Sequence, residues 1–265
     1  MGNIANCQQK NIKNFFIIWF IKKYQVDLTE AEFPDPKVYK NFNHFFTRRL
    51  KSNARPIPTQ ENVIISPVDG KIYQFGKINN GSIIQAKGRD FSLLELVGGQ
   101  PELAQPFLQG DFITLYLAPK DYHRVHMPIT GILREMIYIP GKLFSVNPVT
   151  TENIPNLFAR NERVVCMFDT AIGQIVVILV GALIVGSIHT AWAKQIFSIK
   201  KKTIQYWRYD NQAEPIKLQG GDELGHFQLG STVIVLLPPV KISWNDKVIA
   251  GKAIKMGEIM GDVKL

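Results

Sequence analysis

Cysteine is nearly absent from this chain: 265 residues carry only Cys7 and Cys166. Two cysteines so far apart build neither a disulfide framework nor a zinc knuckle, and they fit a reducing compartment. Acidic residues are the minority charge. Thirty-one Lys and Arg stand against 22 Asp and Glu, a net charge of +9. That balance favours nucleic acid, an anionic membrane or acidic substrates as partners. No nucleic-acid-binding motif accompanies it, so nucleic acid is set aside. Internal repeats and low-complexity tracts are missing. So is a long apolar run at the N-terminus. Crossing a bilayer takes about 20 apolar residues, and the run Phe15 to Ile21 has seven. "IGQIVVILVGALIVGSI" (172–188) is longer but is broken by Gly173, Gln174, Gly181, Gly186 and Ser187. Its Val and Ile content reads as two buried strands around Gly181-Ala182.

What is present is globular: 46% hydrophobic and 20% charged residues, with length for one large domain or a domain plus an appendage. Residues 1–55 form the appendage. They hold ten Lys and Arg against four Asp and Glu. The run Phe15 to Ile21 is flanked by Lys10, Lys13, Lys22 and Lys23, and no small-residue cleavage site of a signal peptide follows it. Aromatic bulk between lysines suits a helix lying in an anionic lipid interface, with Phe15, Phe16, Trp19, Phe20, Lys22 and Lys23 as membrane-binding residues. The alternative is a helix packed on its own domain or on a partner subunit. "DPKVYKNFNHFFTRRL" continues the helical reading, with Asp35 at the start and Val38, Phe42, Phe45 and Phe46 at helical spacing. "KSNARPIP" (51–58) is a linker. Beyond it, in residues 56–265, short apolar runs broken by Gly, Pro and Asn predict a β-rich body, sandwich or barrel. A helical insertion is expected at 91–106.

Five histidines are available: His44, His123, His126, His189 and His226. His123 and His126 sit in "APKDYHRVHMPITG", whose prolines and β-branched residues argue for a strand. Three residues apart on a strand, they point to opposite faces and do not share a metal. Asp69, in "SPVDGK", is a hairpin-turn residue or a carboxylate that orients a histidine. "GHFQLGST" brings Gly230-Ser231 to the mouth of the apolar run "VIVLLP". It is either a turn entering a strand or a reactive bond in which the Ser231 hydroxyl attacks the Gly230 carbonyl. One Asp, one His and one Ser are the parts that activate a hydroxyl, and any chain of this size contains them.

The blocks "FNHFFTRRLKSNARPI", "SPVDGKI", "YLAPKDYHRVHMPITG", "YIPGKLFSVNP", "LFARNERVV" and "ELGHFQLGSTVIVLLP" together resemble the phosphatidylserine decarboxylases of the bacterial, membrane-associated type. They run in family order from about residue 24 to about residue 240. His226 stands where the family more often has arginine, and residues 196–212 match poorly. The resemblance implies a proenzyme that cleaves itself between Gly230 and Ser231. Its products are a beta chain, 1–230, and an alpha chain, 231–265. It implies that Asp69, His126 and Ser231 form the charge relay for that cleavage. An acyl shift to the Ser231 oxygen and β-elimination then leave residue 231 as a covalent pyruvoyl group, without metal or pyridoxal phosphate. That group would hold phosphatidylserine as a Schiff base while CO2 leaves and phosphatidylethanolamine forms, with His123 as candidate proton donor. The same resemblance implies a lipoyl-like hybrid barrel, a homodimer and a peripheral position on the cytoplasmic face of the bacterial membrane. The rival readings are an N-terminal-nucleophile hydrolase using Ser231, a non-catalytic lipid-binding β protein, and a zinc hydrolase using His123 and His126.

Overall fold

The computed structural model describes residues 5–60, 62–86, 88–182, 188–196, 203–210, 212–227 and 231–264. The protein is mainly β, with helices at the N-terminus and in insertions. In chain order the first elements are α1 (Lys10–Tyr24), α2 (Phe42–Phe46), β1 (Val63–Ile65), β2 (Gly70–Lys77), β3 (Ser82–Ala86) and β4 (Arg89–Ser92). Then come α3 (Leu93–Leu96), α4 (Pro101–Ala104), β5 (Asp111–Leu117), β6 (Arg124–His126), β7 (Gly131–Ile139), α5 (Pro148–Asn153) and α6 (Leu157–Arg160). Strands β8 (Arg163–Thr170), β9 (Gly173–Gly181), β10 (Ile188–Thr190), β11 (Lys194–Ile196), β12 (Gln205–Arg208) and β13 (Lys217–Leu218) follow. The chain closes with β14 (Glu223–Phe227), β15 (Ser231–Leu237), β16 (Lys241–Trp244), β17 (Ala253–Ile254) and β18 (Ile259–Lys264).

Nine of these strands form the central sheet, in the order β12-β7-β8-β9-β15-β5-β2-β17, with β13 also on β7. All its pairings are antiparallel. The sequences explain its middle. "STVIVLL" of β15 and "GQIVVILVG" of β9 are nearly unbroken apolar runs, as strands covered on both faces must be, and every residue of β15 is buried. On one face Val233, Val235, Leu179 and Leu115 pack against Val125, Met127, Leu224, Phe227, Met260 and Val263 of the smaller sheets. Those sheets are β11-β10-β14-β6 and β1-β18-β16. On the other face Ile234, Leu236 and Ile178 meet Phe91, Leu93, Phe107, Leu157 and Phe158, from the β3–β4 hairpin and the short helices. The 91–106 insertion is thus helical, as two short pieces. Residues 173–181 are a buried strand as read from the sequence, whereas residues 183–187 lie outside the described ones. Among the described residues the sheets are open, and no barrel closes by hydrogen bonds.

The N-terminal reading needs two corrections. The 35–46 stretch is not one helix. Asp35 caps a single 3-10 turn, Pro36–Val38, by accepting from the Lys37 N–H (2.9 Å). Asn41 then caps α2 afresh, and Val38 is left exposed. The second correction concerns Phe20, which does not face outward. It is 6% exposed and meets Tyr24, Phe42, Phe45 and Phe46 at ring-centroid distances of 4.5, 5.0, 6.0 and 5.9 Å. The reason is helical phase: Ile17 and Phe20 share the inward face of α1, whereas Ile12, Phe15 and Trp19 share the outward face and stay exposed. Gln25, left-handed at φ +54°, ends the helix by donating its N–H to Ile21. Phe20→Ala should lower unfolding stability by about 3 kcal/mol. Phe15→Ala should change it by less than about 0.5 kcal/mol. Urea titrations of the two variants measure the contrast, and equal losses would contradict the two-faced helix.

Candidate active site

The layers exchange strands at one corner. Chain leaves the central sheet at Leu117, turns through 118–123 and enters the four-stranded sheet as β6. It comes back from β14, which ends at Phe227, to β15, which begins at Ser231. Gly230 lies outside the described residues, as do Gln228 and Leu229. Ser231 pairs with Leu117 on one side and Gly181 on the other. It is fully buried, and among the described residues its hydroxyl oxygen has no hydrogen-bond partner. A hydroxyl in apolar surroundings without a partner is costly and rare.

The 118–123 turn is tightly fixed. The Ala118 N–H donates to the Asp121 carboxylate (2.7 Å), and the Asp121 N–H donates to the Ala118 carbonyl (2.9 Å). Burial raises the Asp121 carboxyl to about 6. His123 follows, wholly buried and stacked on Phe46 at 4.1 Å. Its Nε2 donates to the Ala118 carbonyl (3.0 Å), so in the neutral ring Nδ1 is bare, and no group donates to it. Burial, reinforced by the charge of Arg48, lowers its pKa to about 3. The Phe227 N–H donates to the His123 carbonyl (3.1 Å) and brings the end of β14 beside it.

His126 lies on β6 and makes a different set of contacts. Its Nδ1 donates to the Gly221 carbonyl (2.7 Å), and its Nε2 accepts from the Tyr122 hydroxyl (3.0 Å). Burial lowers its pKa below the usual histidine value, with the Gly221 bond working the other way. Burial also keeps Tyr122 protonated. The Gly221 carbonyl therefore fixes the His126 tautomer, a task the sequence reading gave to Asp69. Asp69 accepts instead from Arg55, through both carboxylate oxygens, and from the Met256 N–H (2.8 Å). No hydrogen bond joins Asp69, His126 and Ser231 in this arrangement, and Asp69 reaches His126 through its field alone. Nor is Asp69 a hairpin turn: β1 pairs with β18, and β2 pairs with β5 and β17.

Sequence reasoning missed the arginines. Arg55, in the expected linker, is buried and bridges Asp69 to Glu30. Arg124 holds both oxygens of Glu223 (2.5 and 2.6 Å) and donates to the Thr47 carbonyl (3.0 Å). Burial opposes ionisation of Glu223, yet His226 and Arg124 pull its carboxyl down to about 2. His226 stacks on His189 across β14 and β10 at 4.7 Å. His44 lies apart, at the rim of the N-terminal cluster, where its Nδ1 accepts from the Lys40 N–H. Among the described residues, no three metal-ligating side chains gather. In sequence an arginine that ends buried looks like any other; only the density of arginines in "TRRLKSNAR" marked the segment.

The corner thus brings together a buried serine hydroxyl at the start of β15, His123 at the end of the 118–123 turn and His126 on β6. The family model for phosphatidylserine decarboxylase matches residues 42–262. The chain is 52% identical to the phosphatidylserine decarboxylase proenzyme of Pseudomonas fluorescens over 98% of its own length and 90% of that protein's. It is 53% identical to the proenzyme of Pseudomonas putida and 52% identical to that of Pseudomonas aeruginosa, with the same coverage. The chain belongs to the phosphatidylserine decarboxylase family.

Buried and half-buried histidines contribute to the acid stability. His123 (about 3), His189 (about 4) and His126 all titrate below the unfolded value near 6.5 when folded. Below that value the unfolded chain binds protons that the folded one refuses. Stability is therefore complete above about pH 6.5 and is lost as pH falls toward the folded values. Each histidine contributes a slope of at most about 1.4 kcal/mol per pH unit. Urea midpoints at pH 7 and pH 5 should fall steeply, and His189→Asn should flatten the decline. Midpoints that do not move would mean these rings are not held neutral.

Proposed function

We propose that this chain is made as a proenzyme that cleaves itself at Gly230-Ser231 and then decarboxylates phosphatidylserine to phosphatidylethanolamine. Membership of the family carries the reaction, and the unpartnered, buried Ser231 oxygen supports the assignment of the cleavage point. His126 is the base. Its neutral ring keeps the proton on Nδ1, against Gly221, and Nε2 receives the Ser231 proton once Tyr122 yields that lone pair. Asp69, anchored by Arg55 and the Met256 N–H, stabilises the imidazolium that results. The hydroxyl attacks the Gly230 carbonyl, and the peptide becomes an ester. Elimination then releases the 1–230 carboxylate, and hydrolysis frees ammonia and leaves a pyruvoyl group at 231. Apolar surroundings and the lack of a competing partner for the Ser231 oxygen fit that small, uncharged group. It supplies a carbonyl that drains the electron pair left when CO2 departs.

The pairing pattern supports retention of the shorter chain after cleavage. Residues 231–265 provide β15 between β5 and β9, β17 on β2, and β18 on β1. For the second reaction we assign the proton to His123. Its bare Nδ1 takes a proton from the substrate ammonium and returns it to the carbon that has lost CO2. The lipid is met at the interface. Ile12, Phe15 and Trp19 form an exposed apolar stripe on α1, with Lys22 and Lys23 at its end and Lys23 over the Trp19 ring at 4.6 Å. Phe16 is half-buried beside it. Among the described residues, no helix is long and apolar enough to cross a membrane. We place this face on the cytoplasmic membrane surface, with the processed protomers as a homodimer. The open central sheet under its two smaller sheets is our counterpart to the family's lipoyl-like barrel.

Intact-mass spectrometry tests the first reaction. The native protein should give two chains, with residue 231 lacking its amine. Ser231→Ala should give one chain of 265 residues and no phosphatidylethanolamine. A free serine amine at 231 would instead favour the N-terminal-nucleophile hydrolase. Cosedimentation with anionic vesicles tests the surface. Phe15→Ser with Trp19→Ser should weaken binding at low and high salt, because apolar burial is not screened. Lys22→Gln with Lys23→Gln should weaken it mainly at low salt, each lysine contributing about 1 kcal/mol there. Unchanged binding of the aromatic double variant would return α1 to a purely packing role.

A further inference from the structure

Arg48 is the least explained charge in the protein. It is 4% exposed. Its Nη2 donates to the carbonyls of Lys120 (2.9 Å) and Asp121 (3.2 Å), whereas Nε and Nη1 are buried with no acceptor. Among the described residues, no carboxylate lies within ion-pairing distance of it. The nearby acids are occupied. Asp69 is held by Arg55 and Met256, and Asp121 by the Ala118 N–H. The guanidinium also lies over the Phe45 ring, 5.6 Å away, and feels the fields of Tyr39, Asp69 and Asp121. Burial lowers the Arg48 pKa from its usual value, but a guanidinium does not give up its proton in a protein. A buried cation with free donors and no counter-charge is strongly unfavourable unless an anion completes it.

Its position points to which anion. Arg48 is bonded to the turn 118–123, which begins one residue after Leu117, the cross-strand partner of Ser231. His123, with its bare Nδ1, stands on the same turn and feels the charge of Arg48. We propose that Arg48 binds the phosphodiester of the phospholipid substrate, using Nε and Nη1, and so aims the amine-bearing carbon at residue 231. This rests on the reading that residue 231 is the reacting centre. The substrate offers two anions, and the chemistry separates them. A carboxylate loses its charge as CO2 leaves, so a buried cation on it would stabilise the ground state over the transition state and slow the reaction. The phosphodiester keeps its charge throughout, and only three bonds separate its phosphorus from the reacting carbon. A guanidinium there anchors the substrate without opposing the chemistry.

The test uses processed protein and two soluble short-chain probes, measured by titration calorimetry. One is dihexanoyl phosphatidylethanolamine, which has the phosphodiester and amine but no carboxylate. The other is its analogue with an uncharged ether in place of the phosphodiester. Wild type should prefer the phosphodiester probe at least tenfold. Arg48→Gln, checked for both chains on a gel and for folding by circular dichroism, should lose that preference while binding the neutral probe as before. Arg48→Lys, which keeps the cation if Gln is not tolerated, should show an intermediate preference. A folded variant of either kind that keeps the full wild-type preference overturns the proposal. So does a wild type with no preference. Absence of phosphatidylserine decarboxylation by wild type would overturn the proposed function separately, since the binding comparison does not depend on turnover.

Discussion

The position of Ser231 as the first residue of a strand buried on both faces and paired along both edges constrains everything around it. β15 is held by β5 through seven cross-strand pairs and by β9 through six. It cannot slide by one residue without turning Val233 and Val235 out of one core and Ile234 and Leu236 out of the other. The hydroxyl is thereby fixed at the boundary between sheet and crossing segment. Residues 228–230, before it, lie outside the described ones. The bond after it belongs to the sheet. Chemistry at this junction can break the chain without breaking the layer.

A second consequence concerns the histidines. A free imidazole is half-charged near pH 6.5, and an ionised ring would be of no use as a base. Burial solves this for both, and the acceptor carbonyls of Gly221 and Ala118 decide which nitrogen keeps the proton. His126 thus presents Nε2 to Tyr122, and His123 presents a bare Nδ1. The two rings, three residues apart on an extended segment, serve different neighbours. Backbone carbonyls are suited to setting tautomers because they have no charge to lose. Asp69 is held instead by Arg55 and the Met256 N–H.

Much of this was legible in the sequence, and the limits are physical. Continuous Val and Ile runs announced the buried strands 173–181 and 231–237, since no other environment accepts seven or more apolar residues in a pleated chain. The strand-period reading of His123 and His126 applies only in part, since β6 begins at Arg124 and His123 closes the turn before it. Partners were not legible. Asp69 carries the same letter whether it bonds a histidine or an arginine, and the choice was made by Arg55, fourteen positions away. Helical phase was also ambiguous for α1. With apolar residues on nearly every side of "FFIIWFI", the pattern did not say which side packs, and only the aromatic cluster of α2 selects Ile17 and Phe20 as the inward pair. The linker reading of 51–58 gave no sign of the buried Arg55, because composition reports average exposure, not the burial of one arginine within a polar stretch.

The N-terminal segment packs directly onto this corner. It touches the reactive corner at four places: Phe46 on His123, Arg48 on the 118–123 turn, the Thr47 carbonyl on Arg124, and Arg55 on Asp69. The same segment carries the exposed stripe of Ile12, Phe15 and Trp19 on the helix whose inner face packs on α2. The inner face of that helix, through Ile17 and Phe20, belongs to the apolar cluster that includes Phe46, the ring that stacks on His123. A rigid connection of that kind lets the site be built before lipid arrives, because each contact lies within the chain itself. On the proposed membrane reading, it also sets the height of residue 231 relative to the lipid. For a substrate whose reactive atoms stay at the headgroup level, that height is the one geometric quantity that folding must get right, and an N-terminal segment packed onto the site sets it more firmly than a flexible tether would.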